Sequence, residues 1–352
     1  MQWLNYLQQA VADQASDVFF VAGGPVCQKH EGKVLRMGDD RLLPPDTQQI
    51  IEEIYRTANR SMEHYLRTGD DDFSFSVPGL ARFRVNAYRQ RGSMAAVIRL
   101  VSFDIPDWQA IRIPPAVMDL ADTDGGMILV TGTAGSGKTT TQACIIDRIN
   151  RTRECHIVTL EDPIEFLHRH RKSIVSQREI AVDTQDYPAA LRACVRQAPD
   201  VILLGEMRDP ETMRTAMAAA ETGHTVIATL HTKGAVNAID RIIDTFPPAQ
   251  QAQIRVQLSM VLRTVVSQQL LPDLHGGLVP ACEIMQVSPA IRSMIRDNRS
   301  HQIDNAIVSG GRDGMISMDQ AILALYRSGE ITRETALVYA DHPDQLARTL
   351  GA

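Results

Sequence analysis

The feature that most constrains this chain is a glycine-rich segment between an apolar run and a helix-compatible segment. Residues 127–142 read MILVTGTAGSGKTTTQ, and Gly132, Gly137, Lys138 and Thr139 fill the pattern G-x-x-x-x-G-K-[ST]. The apolar run before the pattern favours a strand, and the residues after it favour a helix. The motif therefore stands in the strand–loop–helix context that it requires.

A loop of this composition is suited to hold phosphate groups. Its glycines let several backbone N–H groups face one point, and the N-terminus of the following helix adds a partial positive charge. Lys138 is expected to reach the terminal phosphates, and Thr139 Oγ1 to bind Mg²⁺. A glycine-rich turn that only resembles the motif is the alternative. The predicted nucleoside triphosphate site comprises Gly132, Thr133, Ala134, Gly135, Ser136, Gly137, Lys138, Thr139 and Thr140.

Length and composition restrict the class of protein. A chain of 352 residues with 44% hydrophobic content is long enough for two hydrophobic cores, since domains of roughly 100–200 residues are usual. No apolar run approaches the ~18 residues of a membrane span, and the N-terminus does not resemble a signal peptide, so we expect a cytosolic protein. A net charge of −6 does not favour a general nucleic-acid binder. Scattered single cysteines argue against structural zinc and disulfides and for a reducing compartment; they are Cys27, Cys144, Cys155, Cys194 and Cys282.

Strand and helix patterns predict two different domains. Residues 1–104 combine alternating strand-like segments with a helix expected over Thr47 to Leu66, which indicates a small α+β domain. Residues 105–124 contain three prolines and read as a linker with one short helix. In residues 125–352, apolar strands alternate with helices in the manner of a parallel sheet, and the tail from Pro247 has a mostly helical pattern.

Carboxylates and a histidine follow the predicted strands downstream of the loop. Glu161, Asp162 and Glu165 come directly after one apolar strand, and Glu206 follows the next. Because parallel strands present ligand sites at their carboxyl ends, these acids are expected to hold hydrated Mg²⁺ or to orient an attacking water. His231 ends a third strand and is a candidate contact for a γ-phosphate. For each residue alone the alternative is a cap, a surface charge or a structural histidine.

Segments along nearly the whole chain resemble, in order, the secretion ATPases of type II secretion and type IV pili. They are GTAGSGKTTT, TLEDPIEF, SQREIAVDT, DVILLGEMRD, AAAETGHTVIATLHT, AIDRIIDTFP and SQQLLP. Within that superfamily the chain looks like the pilus retraction ATPases of the PilT family. It shows neither the long extra N-terminal domain nor the four-cysteine zinc insert of assembly motors, and SPAIRSMIRD resembles a signature of retraction motors.

The resemblance implies a fold, cofactors and partners. The fold would be α/β, with a RecA-like P-loop ATPase domain and a smaller N-terminal PAS-like α+β domain. The cofactors would be ATP and Mg²⁺. The protein would form a homohexamer in the cytoplasm, at the inner face of the cytoplasmic membrane, with an inner-membrane pilus platform protein as its partner. An assembly ATPase or a paralogous retraction ATPase would be a further partner, and no specific nucleic acid is expected.

Combined with the residues, the resemblance implies individual roles. Thr139 with Glu206 or Asp162 would organise Mg²⁺. Glu206 or Glu161 would position the water, and Glu206 is the stronger candidate. His231 would report the state of the γ-phosphate to the neighbouring subunit.

Two arginines of the first domain are candidates to complete the site. Arg84 lies on the polar face of the alternating segment ARFRVNAY, and Arg99 interrupts the apolar segment MAAVIRLV. An arginine in such a run needs an anionic partner. One interpretation is an ion pair with an acid of the same domain among residues 70–72. The other is an arginine finger that reaches the nucleotide of an adjacent subunit or of the neighbouring domain.

Three functions remain open from the sequence. The first is a motor that powers pilus retraction. The second is a related ring ATPase that moves nucleic acid or effector proteins in secretion, DNA uptake or DNA transfer. The third is an accessory ATPase subunit that binds nucleotide and modulates another motor of the pilus machine.

Overall fold

The computed structural model describes residues 2–30, 32–101 and 105–351. The chain divides into two compact units, one formed by Met1–Asp104 with Pro163–Leu167 and the other by Ile105–Asp162 with His168–Ala352. Residues 102–104, where the predicted first domain ends, lie outside the described residues. The stretch predicted to be a linker, 105–124, belongs to the second unit.

The first unit is an antiparallel sheet with helices. Its helices are α1 (Gln2–Ala12), α2 (Pro44–Thr57) and α3 (Glu63–Thr68). Its strands are β1 (Asp17–Phe20), β2 (Cys27–His30), β3 (Lys33–Arg36), β4 (Asp70–Val77), β5 (Ala81–Gln90) and β6 (Ser93–Val101). The strand order is β3-β2-β1-β6-β5-β4, and every neighbouring pair is antiparallel.

Alternation along β5 explains how this sheet packs. Phe83, Val85 and Ala87 are buried, whereas the side chains between them are at least partly exposed. Successive strand residues face opposite sides of a sheet, so the buried set lies on one face. That face packs in one core with Trp3 of α1 and Tyr55 of α2. The predicted α+β character of the N-terminal part agrees with this arrangement.

The prediction of one helix over Thr47 to Leu66 was wrong, because the helix is interrupted between α2 and α3. Asn59 adopts a left-handed backbone conformation with φ 51°, which ends a helix and which asparagine tolerates better than most residues. Arg60 then donates two hydrogen bonds to the Asp71 carboxylate, at 2.9 and 2.8 Å. A tertiary ion pair with β4 thus accompanies a break that helical periodicity did not reveal.

The second unit has a larger sheet with helices on both faces. Its strands are β7 (Gly126–Thr131), β8 (His156–Glu161), β9 (Ile174–Glu179), β10 (Val201–Leu204), β11 (Thr225–Leu230), β12 (Leu262–Pro272) and β13 (Leu278–Gln286). Its helices are α4 (Pro115–Met118), α5 (Lys138–Thr152), α6 (Tyr187–Cys194), α7 (Pro210–Glu221), α8 (Ala235–Asp244), α9 (Pro248–Val261), α10 (Pro289–Arg296), α11 (Ile303–Ser309), α12 (Met318–Arg327), α13 (Arg333–Tyr339) and α14 (Pro343–Gly351). None of the helices described is long and apolar enough to cross a membrane.

The order of the larger sheet is β13-β12-β7-β11-β10-β8-β9, and every pair is parallel except β12 with β13. All residues of β7, β10 and β11 are buried, as expected for strands covered on both faces. One face packs with α7 to α10, and the other with α5 and the apolar residues of 105–124. The predicted parallel strands are confirmed.

The prediction of a mostly helical tail from Pro247 was wrong for β12 and β13. Their residues 262–272 and 278–286 form a hairpin that extends the sheet, with β12 pairing parallel to β7. Short apolar runs such as Thr264 to Val266 fit a buried strand and a buried helix equally well. This segment is a strand because β7 has an edge with which β12 can pair.

His168 predicts a pH dependence of stability. Burial lowers its pKa to about 4, and its Nδ1 atom is shielded without a hydrogen-bond partner. Between the unfolded pKa of about 6.5 and pH 4, the unfolded chain binds a proton that the native chain does not, so stability falls as pH falls. The free energy of unfolding, measured by denaturation at pH 7 and pH 5, should fall about 2 kcal/mol less in His168→Gln than in the wild type. The exposed His301→Gln is the control; equal pH dependence in wild type and His168→Gln would contradict the assignment.

Candidate functional site

The glycine-rich loop lies at the carboxyl edge of the larger sheet. It connects the last residue of β7 to the first residue of α5. In the same sheet, Glu161 ends β8, Glu206 follows β10, and His231 follows β11. Because these strands are parallel, their ends meet at one edge. Glu206 and His231 are within 3.5 Å of each other, measured from Oε2 to Nε2.

The Lys138 side chain binds the backbone of the loop. Its Nζ donates to the carbonyl oxygens of Gly132 and Thr133, both at 2.8 Å. In a trans peptide the carbonyl and the following N–H point in opposite directions. The N–H groups of Thr133 and Ala134 therefore point away from the two carbonyls that Lys138 binds, and both residues are exposed.

Three observations indicate that the loop is suited to bind a phosphate group. No side chain caps the N-terminus of α5, and no acid occupies its first turn, which is the character of a helix start that can bind an anion. Ser136 is buried, yet its Oγ has no hydrogen-bond partner. A Cβ added at Gly135 would meet nothing within 4 Å, so the loop opens there. Thr139 and Thr140, in the first turn of α5, are partly exposed.

Glu206 is held by its surroundings although it follows a short strand. Its residue exposure is only 8%, and its Oε2 accepts from Arg208 Nε at 2.6 Å. The residues on either side of Glu206 are bound to β11, because Thr229 Oγ1 donates to the Gly205 carbonyl and Met207 N donates to the Thr229 carbonyl. These contacts place a carboxylate at the sheet edge. The hydrogen bond to Glu206 also raises the pKa of Arg208.

The other predicted acids have different environments. Glu161 is buried, and its Oε1 accepts from Thr159 Oγ1 at 2.6 Å and from Gln177 Nε2 at 3.2 Å. Asp162 is exposed. Glu165 is also exposed and belongs to the first unit. Within the described part of the chain, no three His, Cys, Asp or Glu side chains form a metal-binding group.

Tyr187 is a residue of this edge that sequence reasoning missed. Burial raises its pKa, and the carboxylates of Glu206, Asp162 and Glu161 raise it further. A Cβ added at Gly205 would lie 2.8 Å from the Tyr187 hydroxyl. A tyrosine at the start of α6 belongs to no motif, so only the packing of α6 brings it beside the acids.

The two candidate arginines face each other in the first unit. Arg84 of β5 is the register partner of Arg99 of β6. Arg99 Nε lies 2.9 Å from Asp17 Oδ1, and Arg84 Nε lies 4.0 Å from Asp72 Oδ1. The Arg99 side chain is nevertheless 64% exposed to solvent. An acid of residues 70–72 is near Arg84, as one interpretation had it, whereas the partner of Arg99 comes from β1. The finger role stays a prediction for both.

Comparisons with known proteins place the chain in a family. The family model described as "Type II/IV secretion system protein" matches residues 3–318. The type IV pilus retraction ATPase PilT of Pseudomonas aeruginosa is 43% identical over 335 residues, covering 94% of this chain and 95% of that protein. The type IV pilus ATPase PilU of the same organism is 36% identical over 347 residues, covering 98% and 90%.

A solved structure agrees with these relatives. The crystal structure of the pilus retraction motor PilT with bound ADP is 43% identical, covers 98% of both chains and superposes with a TM-score of 0.89. The predicted resemblance to pilus retraction ATPases and the predicted fold class are confirmed by these matches. By its sequence motifs, its fold and its full-length relatives, the chain belongs to the type II/IV secretion system protein family.

Proposed function

We propose that this chain is an ATP-hydrolysing motor that powers type IV pilus retraction and works as a homohexamer. The observation that carries the proposal is an uncapped glycine-rich loop at the same sheet edge as the buried carboxylate of Glu206. A phosphate-binding loop next to a carboxylate is what phosphoryl transfer to water requires. The full-length similarity to a pilus retraction ATPase supports the kind of work that this reaction drives.

In this proposal the loop binds and orients the nucleotide. The N–H groups of the loop and of the first turn of α5 would donate to the phosphate oxygens, and the Lys138 ammonium would supply positive charge to the terminal phosphates. Mg²⁺, when bound with the nucleotide, neutralises charge on the phosphates, and Thr139 with Glu206 or Asp162 would hold it. The partly exposed Thr139 and the exposed Asp162 are open to such a hydrated ion.

Glu206 is the residue that we assign to the attacking water. Its carboxylate is fixed by Arg208 and lies 3.5 Å from His231 Nε2, so its orientation does not depend on a flexible rotamer alone. Glu161 is the second candidate, but Thr159 and Gln177 already donate to its Oε1. His231 keeps half of its side chain exposed and is suited to contact a γ-phosphate and to transmit its loss to a neighbouring subunit.

The proposed setting is the cytoplasmic base of a pilus, at the inner face of the cytoplasmic membrane. The partners would be a platform protein of the inner membrane and an assembly or paralogous retraction ATPase. An accessory ATPase subunit of the pilus machine is the alternative function. Turnover by the isolated chain separates a motor from an accessory subunit. Stimulation by single-stranded DNA with a steep salt dependence would favour a nucleic-acid pump instead.

Lys138→Ala should abolish ATP turnover and pilus-dependent movement while the fold remains. The substitution removes a charge from the phosphate site, and the ammonium's bonds to two loop carbonyls are lost with it. We expect turnover to fall at least about 10²-fold, as for removal of one charged transition-state contact. The exposed Lys172→Ala is the matched control and should behave as wild type. Turnover that survives Lys138→Ala would sink the proposed function.

Glu206→Gln should keep ATP binding and lose hydrolysis by about 10²- to 10⁴-fold, because a base that positions water acts mainly in the transition state. Single-turnover kinetics and equilibrium binding of ATP separate the two effects. The exposed Glu165→Gln tests another of the predicted acids, which comes from the segment after β8. Loss of ATP binding in Glu206→Gln would assign this carboxylate to holding Mg²⁺ instead.

Arg84→Ala and Arg99→Ala should each reduce turnover strongly while the monomer still binds ATP, since an arginine finger is worth roughly 10³–10⁵ in rate. Mixing either variant with Lys138→Ala should partly restore turnover, because one subunit then supplies the arginine and another the loop. Asp17→Asn is the control for the ion pair of Arg99 inside its own unit. Mixtures no more active than their separate components would show that the arginines do not act between subunits.

A further inference from the structure

We infer that Gln268 of β12 is a positioning residue that holds the phosphate-binding loop in its binding shape. The inference deepens the nucleotide-binding role proposed for the loop and rests on it. Gln268 belongs to the segment SQQLLP, whose sequence pattern indicates no chemical role, and it lies 130 positions after Lys138. The inference rests on the hydrogen bonds of the buried side-chain amide of Gln268.

Both ends of the Gln268 side chain are bound to the loop–helix segment. Its Nε2 donates to the Ser136 carbonyl at 2.7 Å, and its Oε1 accepts from Thr141 Oγ1 at 2.7 Å. Gln268 is 2% exposed and Thr141 is fully buried. One amide thus links the loop to the first turn of α5.

The glycines of the motif are needed for this close approach. A Cβ added at Gly132 would lie 2.4 Å from the Gln268 carbonyl oxygen, and one added at Gly137 would lie 2.8 Å from Gln268 Nε2. Gly132 and Gly137 also have positive φ, at 147° and 83°. The two glycines that define the motif therefore both pack against the same residue of β12. Their lack of a side chain serves this contact as well as the bend of the loop.

The hydrogen bond to Ser136 determines where the next N–H points. When the Ser136 carbonyl is drawn toward β12, the N–H of Gly137 in the same trans peptide points the opposite way, away from the sheet strand. That N–H belongs to the residue that caps α5. Gln268 thereby presets one of the amides that an anion at this helix N-terminus would use.

The contact is also costly to lose. Ser136 O and Thr141 Oγ1 are both inside the protein, and removal of the amide leaves them without their partner. The loop would then turn to find another donor, and a displacement of about 1 Å at a phosphate site is worth up to about 10²-fold in binding or rate. A purely structural glutamine would lower stability without this effect on nucleotide.

The test is ADP affinity of the full chain, measured by equilibrium titration, together with KM and kcat for ATP. Gln268→Leu should weaken ADP binding about 10- to 100-fold and raise KM more than it lowers kcat. Gln286→Leu is the matched control. It removes the bond from Thr264 Oγ1 to Gln286 Oε1, also 2.7 Å long, from the same strand pair away from the loop. The control should lose stability without losing ADP affinity.

A second pair of variants keeps the test decisive if Gln268→Leu does not fold. Thr141→Val removes only the hydroxyl that donates to Gln268 Oε1 and should weaken ADP binding about 3- to 10-fold. Thr141→Ser should restore the binding. Wild-type affinity in Thr141→Val, or equal affinity in Gln268→Leu and Gln286→Leu, would overturn the inference. Failure of the wild-type chain itself to bind ADP would instead remove the proposed function.

Discussion

The position of β7 in the larger sheet is the constraint on which the rest of the site depends. It pairs in parallel with β11 on one side and with β12 on the other. The loop that leaves β7 is consequently flanked by the end of β11, which carries His231, and by β12, which carries Gln268. If β7 were at an edge of the sheet, one of these neighbours would be missing.

The hairpin of β12 and β13 supports more than the phosphate loop. Ser267 and Gln268 are consecutive, so their side chains lie on opposite faces of the sheet. Gln268 binds the loop on one face, and Ser267 Oγ accepts from Gly234 N at 2.9 Å on the other, close to His231. Glu283 of β13 accepts from Ala235 N at 2.8 Å at the start of α8. Burial raises the pKa of Glu283, which two helix N-termini nevertheless supply with N–H donors.

These contacts give the two loops a common support. Gln268 is hydrogen-bonded to the first turn of α5, and Ser267 and Glu283 are hydrogen-bonded to the start of α8. A shift of the hairpin would therefore move both helix starts. The hairpin therefore links the phosphate-binding loop to the loop that contains His231. Its polar atoms are buried and paired, which favours discrete arrangements over gradual ones.

The sequence by itself determined the parts that depend on local pattern. The spacing of Gly132, Gly137, Lys138 and Thr139 predicted the loop, and the apolar runs predicted the parallel strands of the sheet, because backbone geometry and burial leave a direct imprint on neighbouring residues. Acids at strand ends could be named as candidates for the same reason. The resemblance to secretion ATPases added the family.

Only the tertiary structure decided what joins distant segments. It showed that β12 and β13 are strands, because β12 pairs with the edge of β7 and β13 pairs with β12. It placed Asp17 beside Arg99 and Tyr187 beside Glu206, contacts that no short-range spacing encodes. It also placed the Gln268 amide between Ser136 and Thr141, since hydrogen bonds across the sheet depend on strand register and not on separation along the chain.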